Sequence, residues 1–67
     1  MDYGKLLLSR RLSLNLGRYK LSEMSGISAR TIQSIEHGES DPSISVLSEL
    51  LGRLGYVINV EERVKYG

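Results

Sequence analysis

The chain has 67 residues, enough for one small domain, and it contains no cysteine, which excludes disulfide bonds and thiolate metal sites. It has no apolar run of about 18 residues, and the short run Leu6–Leu8 is followed, after Ser9, by two arginines, unlike a secretory signal. We therefore expect a soluble, cytoplasmic protein. Because a domain of this size buries only about 60% of the surface of its unfolded chain, a second subunit would add to its stability.

The first helix is predicted over about residues 3–14, with Asp2 as its N-cap. Asn15 and Gly17 interrupt its pattern and so mark its end. The side expected to face the core carries Leu8 and Leu12, with Leu7, Arg11 and Leu14 on the adjoining stripe.

Two short helices are predicted next, over about residues 18–25 and 29–37. Gly26 suits the left-handed position of a tight turn between them, and Gly38 ends the second. Ser28 is expected to cap the second of these helices.

A fourth helix is predicted after the cap Ser43, and it ends at Gly55. Gly52 lies inside this helix, where glycine costs roughly 1 kcal/mol relative to alanine, so we expect it to face solvent or a close neighbour. The apolar positions recur at helical spacing and are Ile44, Leu47, Leu50, Leu51 and Leu54.

The last segment changes period, because apolar residues alternate with others from Tyr56 to Val60, and this alternation predicts a β-strand. A single strand cannot satisfy its own backbone groups, so we expect it to pair with a second copy of the chain about a twofold axis. The chain would then consist of a helical domain at residues 1–55 and a strand with a tail at residues 56–67. The expected dimer interface is Tyr56, Val57, Ile58, Asn59 and Val60.

Charge is unevenly distributed along the chain. Residues 1–30 carry six Lys or Arg and two Asp or Glu, whereas residues 31–67 carry three and six, so the net charges are +4 and −3. A basic N-terminal half favours an anionic partner, of which nucleic acid is the obvious candidate.

The stretch 16–38 holds small, glycine and aliphatic residues at fixed offsets, followed by Ile-Glu-x-Gly at residues 35–38. The residues that form this pattern are Ser22, Gly26, Ile27, Ile32 and Ile35. With Pro42, Ser43 and the leucine-rich fourth helix, the chain resembles the Cro/C1-type (XRE) helix-turn-helix family over about residues 5–55. The resemblance implies a mainly α fold, a four-helix lambda-repressor-like domain, here with a short C-terminal β-strand pairing across a dimer.

The resemblance also implies sequence-specific binding of double-stranded DNA, with the third helix in the major groove. Arginine can bridge O6 and N7 of guanine and glutamine can do the same for adenine, so the residue types on its exposed face agree. The implied base contacts are Ala29, Arg30, Gln33 and Ser34. The implied phosphate contacts are Arg18, Tyr19, Lys20, Ser28, Thr31 and His37. Arg11 and Glu36 match a buried ion pair of phage repressors and are interpreted as structural.

Two features depart from the family pattern. The second helix begins Gly17-Arg18-Tyr19-Lys20, so the usual capping box is missing and Lys20 opposes the helix dipole. The loop at residues 39–41 is acidic where many relatives are basic, so we expect few phosphate contacts and a shallow salt dependence of DNA binding.

These observations predict a dimeric transcriptional regulator of prokaryotic or phage origin, a repressor that acts on a pseudo-palindromic operator and lies on the nucleoid when bound. One alternative is an antitoxin that binds a HipA-like kinase toxin and represses its own operon, because the ending of the chain is similar to such antitoxins. Another is a protein-interaction module with a degenerate DNA face. No enzymatic activity, metal or cofactor is expected, because one histidine without cysteine favours neither a metal site nor a catalytic triad.

Overall fold

The computed structural model describes residues 2–59, which form four α-helices. Helix α1 spans Tyr3–Ser13, α2 spans Arg18–Ser25, α3 spans Ala29–Glu36 and α4 spans Ile44–Arg53. The four predicted helices are confirmed, and each observed boundary lies within two residues of its expected position. No helix in this part of the chain is long and apolar enough to cross a membrane.

The predicted C-terminal strand is not present in the described part of the chain. Tyr56–Asn59 carries no strand assignment, and Val60 lies outside the described residues. The physical reason is that a strand is defined by its hydrogen-bonded neighbour, and residues 2–59 contain no other extended segment beside which this one lies. The pairing across a dimer therefore stays a prediction.

Side chains cap three of the four helices at their N-termini. The Asp2 carboxylate accepts a hydrogen bond from the Lys5 amide at 3.0 Å, and Ser28 Oγ accepts from the Thr31 amide at 3.1 Å. Ser43 caps α4 in the same way. Such a cap contributes about 1 kcal/mol relative to alanine. Helix α2 follows Gly17, which has no side chain to offer, so its N-terminus lacks this contribution.

The turn between α2 and α3 is held by Gly26 and Ser25. Gly26 adopts φ +75°, a left-handed conformation that residues with a Cβ rarely occupy. Ser25 Oγ donates to the Leu21 carbonyl at 2.8 Å and accepts from the Ile27 amide at 3.2 Å. Ser25 thus ties the end of α2 to the first residues of the turn.

One hydrophobic core joins all four helices. Its buried members are Leu7, Leu21, Ile32, Ile35, Leu47, Leu50, Leu51 and Leu54. Ile58 from the C-terminal segment is half-buried and packs against this core. Gly52 is exposed, with open space where a Cβ would stand, as expected for a glycine inside a helix.

The prediction of which side of α1 faces the core is wrong in part. Leu12 is 58% exposed and Leu14 is 46% exposed, while the buried residues of the helix are Gly4, Leu7 and Arg11. Ile44, counted with the apolar stripe of α4, is likewise 65% exposed. Leucines occur on more than one side of α1, so periodicity alone does not indicate which side packs against the other helices.

Gly4 decides how α1 packs. A Cβ at this position would collide with the carbonyl oxygen of Ile35 and would stand 3.1 Å from that of Glu36. The backbone of α1 therefore lies directly against the C-terminal end of α3. This close approach brings the side of α1 that carries Leu7 and Arg11 onto α3.

Candidate nucleic-acid interface

Helix α3 presents two different faces. Ile32 and Ile35 are 0% and 2% exposed and pack into the core. On the other side Arg30, Thr31 and Gln33 are exposed, and two further residues of the expected base-contact set, Ala29 and Ser34, are half-buried. The helix is thus fixed to the domain by one side, and its polar side is accessible to a partner.

An open cleft of about 570 Å³ lies where the start of α2 faces α3. It is lined by Arg11, Arg18, Tyr19, Ala29, Arg30 and Gln33. The cleft brings together three of the four residues implied as base contacts and two of the six implied as phosphate contacts. The remaining members of those sets, Ser34, Lys20, Ser28, Thr31 and His37, do not line it.

A buried ion pair between α1 and α3 lies beside this cleft. Arg11 Nε lies 2.7 Å from Glu36 Oε2, and Arg11 Nη2 donates to Glu36 Oε1 at 3.0 Å, which makes the contact bidentate. The side chains are 6% and 0% exposed. Arg11 Nη1 also donates to the Leu16 carbonyl at 2.8 Å. One guanidinium therefore ties α1, the loop before α2 and the end of α3 together.

Arg18 is a second cationic partner of the same carboxylate. Its Nε donates to Glu36 Oε1 at 2.9 Å, and its side chain is 34% exposed. Among the described residues its two terminal nitrogens have no hydrogen-bonding partner. Sequence reasoning assigned Arg18 to phosphate and missed this bond, because only the folded arrangement brings the start of α2 beside the end of α3.

The carboxylate between the two arginines is held in its charged form. Burial raises the pKa of Glu36, but hydrogen bonds from Arg11 and Arg18, together with their charges, outweigh burial and hold the pKa below its ordinary value. The cluster of two guanidiniums and one carboxylate keeps a net positive charge beside the cleft. That charge favours an anion at the surface.

The other residues implied as phosphate contacts lie around the cleft with different partners. Tyr19 is 81% exposed, and Lys20 Nζ stands 3.7 Å from Glu23 Oε2 in a solvated pair. Ser28 Oγ donates to Thr31 Oγ1 at 2.9 Å in addition to capping α3. Tyr19 lines the cleft, whereas Lys20 and Ser28 do not and are placed to touch a partner only at its margin.

His37 lies at the end of α3 beside the acidic loop. Its Nδ1 is 3.6 Å from Glu39 Oε1, and both side chains are largely exposed. The loop thus places a carboxylate next to a residue that was assigned to phosphate. This arrangement opposes strong binding of an anion at this end of α3.

Two helices joined by a tight turn at Gly26, the second with an exposed polar face, define a helix-turn-helix DNA-binding domain. A model of the helix-turn-helix family matches residues 7–57, and the chain belongs to this family, in its Cro/C1-type (XRE) branch. The protein is therefore a DNA-binding transcription regulator. No curated protein and no solved structure matches the chain.

Proposed function

We propose that the protein represses transcription as a homodimer, with α3 of each subunit in the major groove of a pseudo-palindromic operator. The observation that carries the proposal is the cleft, where Arg30 and Gln33 project beside cationic side chains from α1 and α2. Arg30 reads guanine and Gln33 reads adenine by bidentate hydrogen bonds. Ala29 contacts a thymine methyl group, and Ser34 reaches a base or a phosphate.

Arg18 contributes the central phosphate contact. Its Nε is bound to Glu36, so the side chain is ordered before DNA arrives, and its terminal nitrogens stay available. Holding an arginine in place in advance lowers the entropy lost on binding. Tyr19 adds a contact from inside the cleft and Lys20, Thr31 and His37 add contacts at its margin, while Ser28 contributes mainly by capping α3.

The dimer forms through the C-terminal segment. Val57 is 82% exposed, whereas Tyr56 is 37% exposed and Ile58 is half-buried against the core. This alternation is typical of a strand with one face on its own subunit. Antiparallel pairing of two such segments about a twofold axis would cover Val57 and satisfy backbone groups in both chains. Val60 continues the segment outside the described residues.

The dimer is tested with Val57→Asp. Because Val57 makes little contact with its own subunit, the variant keeps its fold, while two carboxylates facing each other across the axis oppose pairing. Sedimentation equilibrium should show a monomer. Leu12→Asp is the matched control, since Leu12 is another exposed apolar residue, on α1, and its replacement leaves the dimer intact. A dimeric Val57→Asp chain would contradict pairing through this segment.

The DNA-binding mode is tested by selecting bound sites from random double-stranded DNA. Wild-type protein should enrich two inverted half-sites whose centres are about 34 Å apart, one turn of the double helix. Absence of any enriched sequence at low salt would contradict repression through sequence-specific binding. It would leave the protein-interaction module as the better explanation.

An antitoxin function uses the same DNA-binding face and adds a toxin bound elsewhere on the protein. Exposed Leu12 and Leu14, which do not line the cleft, favour this second candidate because they offer an apolar surface. A gene for a kinase-like toxin next to the gene of this protein, and a complex of the two products in gel filtration, would support it. If the protein represses its own promoter and no gene for such a toxin lies next to its gene, it is the repressor proposed above.

A further inference from the structure

Arg10 and Arg11, two consecutive residues of α1, bind two different parts of the domain. Arg11 binds the end of α3 through Glu36, as described above. Arg10 binds the end of α4, because its Nε donates to the Leu54 carbonyl at 2.9 Å. The basic N-terminal half had suggested DNA contact for such residues, but Arg10 does not line the cleft.

Arg10 also contacts the first residue of the C-terminal segment. Its guanidinium carbon lies 5.3 Å from the centroid of the Tyr56 ring, within the range of a cation–π interaction. Gly55, between the two contacted residues, turns the chain with φ +91°, and a Cβ there would stand 3.4 Å from Arg10 Nη2. The guanidinium is therefore seated against the turn that leads out of α4.

Each of these contacts has a separate physical basis. The Leu54 carbonyl belongs to the C-terminal end of α4, where carbonyl groups lack partners within the helix and the helix dipole favours a cation. The Tyr56 ring is fixed from one side by the guanidinium. Together the two contacts define the direction in which Tyr56–Asn59 leaves the domain.

We propose that Arg10 is a positioning residue that sets the spacing between the two recognition helices of the dimer. The inference rests on the proposed dimerisation through Tyr56–Asn59. Since Arg10 and Arg11 are neighbours on one helix, α1 connects the dimer segment to α3 rigidly. If the direction of the segment changes, the two α3 helices no longer stand one turn of DNA apart.

The test uses Arg10→Ala, Arg10→Lys and Tyr56→Leu, with Arg53→Ala as the matched control. Arg53 lies in the last turn of α4, and among the described residues its partner is half-buried Glu49, at 3.0 Å, so its removal deletes the same charge without touching the turn. Each chain is mixed with a DNA library in which the selected half-sites are separated by spacers of different lengths. Sequencing of the bound fraction reports which spacers are accepted. Circular dichroism checks that each chain is folded at the temperature of the binding experiment.

Wild type and Arg53→Ala should accept one spacer length. Arg10→Ala should accept several and bind the wild-type spacer about tenfold more weakly, since it loses a hydrogen bond and a cation–π contact. The half-site sequence should not change. Arg10→Lys restores part of the preference, because a lysine can still meet the Leu54 carbonyl, and Tyr56→Leu resembles Arg10→Ala without removing a charge.

Folded Arg10→Ala and Tyr56→Leu chains that keep the single wild-type spacer would overturn the inference and leave the dimeric repressor standing. A wild-type chain that stays monomeric, or that shows no spacer preference, would overturn both proposals. The two failures are thus distinguished by whether the wild type or only the variants depart from expectation.

Discussion

Replacing Glu36 by glutamine tests the ion cluster that supports the DNA-binding face. The side chain of Glu36 is fully buried and accepts hydrogen bonds from Arg11 and Arg18. Glutamine keeps the size of the side chain but removes its charge and one acceptor oxygen. Arg11, which is 6% exposed, then remains as a buried cation without a charged partner.

The expected loss is large for a domain of this size. Removing one partner of a buried ion pair costs about 3–5 kcal/mol. A chain of 67 residues has a free energy of unfolding of about 3–10 kcal/mol, at about 0.05–0.15 kcal/mol per residue. Glu36→Gln should therefore lose a large part of its stability, and it should be unfolded at room temperature if the wild type lies at the low end of this range. Arg18→Ala should cost less than about 1 kcal/mol, because that side chain reaches solvent and a partly exposed pair contributes little.

Urea denaturation followed by far-UV circular dichroism at neutral pH measures both variants. The double variant Arg11→Met/Glu36→Leu should be more stable than either single replacement, because no buried charge is then left alone. A Glu36→Gln chain within about 1 kcal/mol of wild type would refute the reasoning, since it would mean that Arg11 loses nothing when its charged partner is removed.

The same carboxylate predicts an acid-dependent loss of stability. The pKa of Glu36 in the folded chain is lowered, so its contribution is fully present above the ordinary pKa of glutamate and is lost as pH falls through the lowered pKa. The temperature of thermal unfolding of the wild type should therefore fall as the pH decreases through the acid range. In Glu36→Gln, studied at low temperature where part of it is folded, this contribution to the slope should be missing.

Gly4→Ala should lower the free energy of unfolding by about 1–3 kcal/mol, because its Cβ meets the carbonyl of Ile35. Gly52→Ala should raise the free energy of unfolding by about 0.5–1 kcal/mol, since that helical position is open. Urea denaturation measures both variants. A Gly4→Ala chain as stable as wild type would contradict the close packing of α1 on α3. Arg30→Ala should lose about 1–3 kcal/mol of discrimination at one base pair in competition binding, and an equal loss on random DNA would show that Arg30 contacts only phosphate. DNA affinity should fall by less than about a thousandfold between roughly 50 and 200 mM salt, because the acidic residues after α3 reduce the number of phosphate contacts. A steeper fall would mean more phosphate contacts than proposed.

The sequence by itself determined the helices and the class of protein. Asp2, Ser28 and Ser43 cap the following helices through the third residue along, and Gly26 provides the turn conformation that most residues avoid. These signals act over two to four residues, so they can be recognised without knowing the fold. The spacing around Gly26 then indicated the family, and the family model over residues 7–57 confirms it.

Only the tertiary structure decided which side chains meet. Arg18 and Glu36 are 18 residues apart in sequence, Arg11 and Glu36 are 25 apart, and Arg10 and Leu54 are 44 apart. The resemblance to phage repressors anticipated only the second of these pairs. Helical periodicity specifies the faces of a single helix but not the partner of each face. That choice depends on the close approach of α1 to α3 at Gly4, where a missing side chain lets two backbones touch.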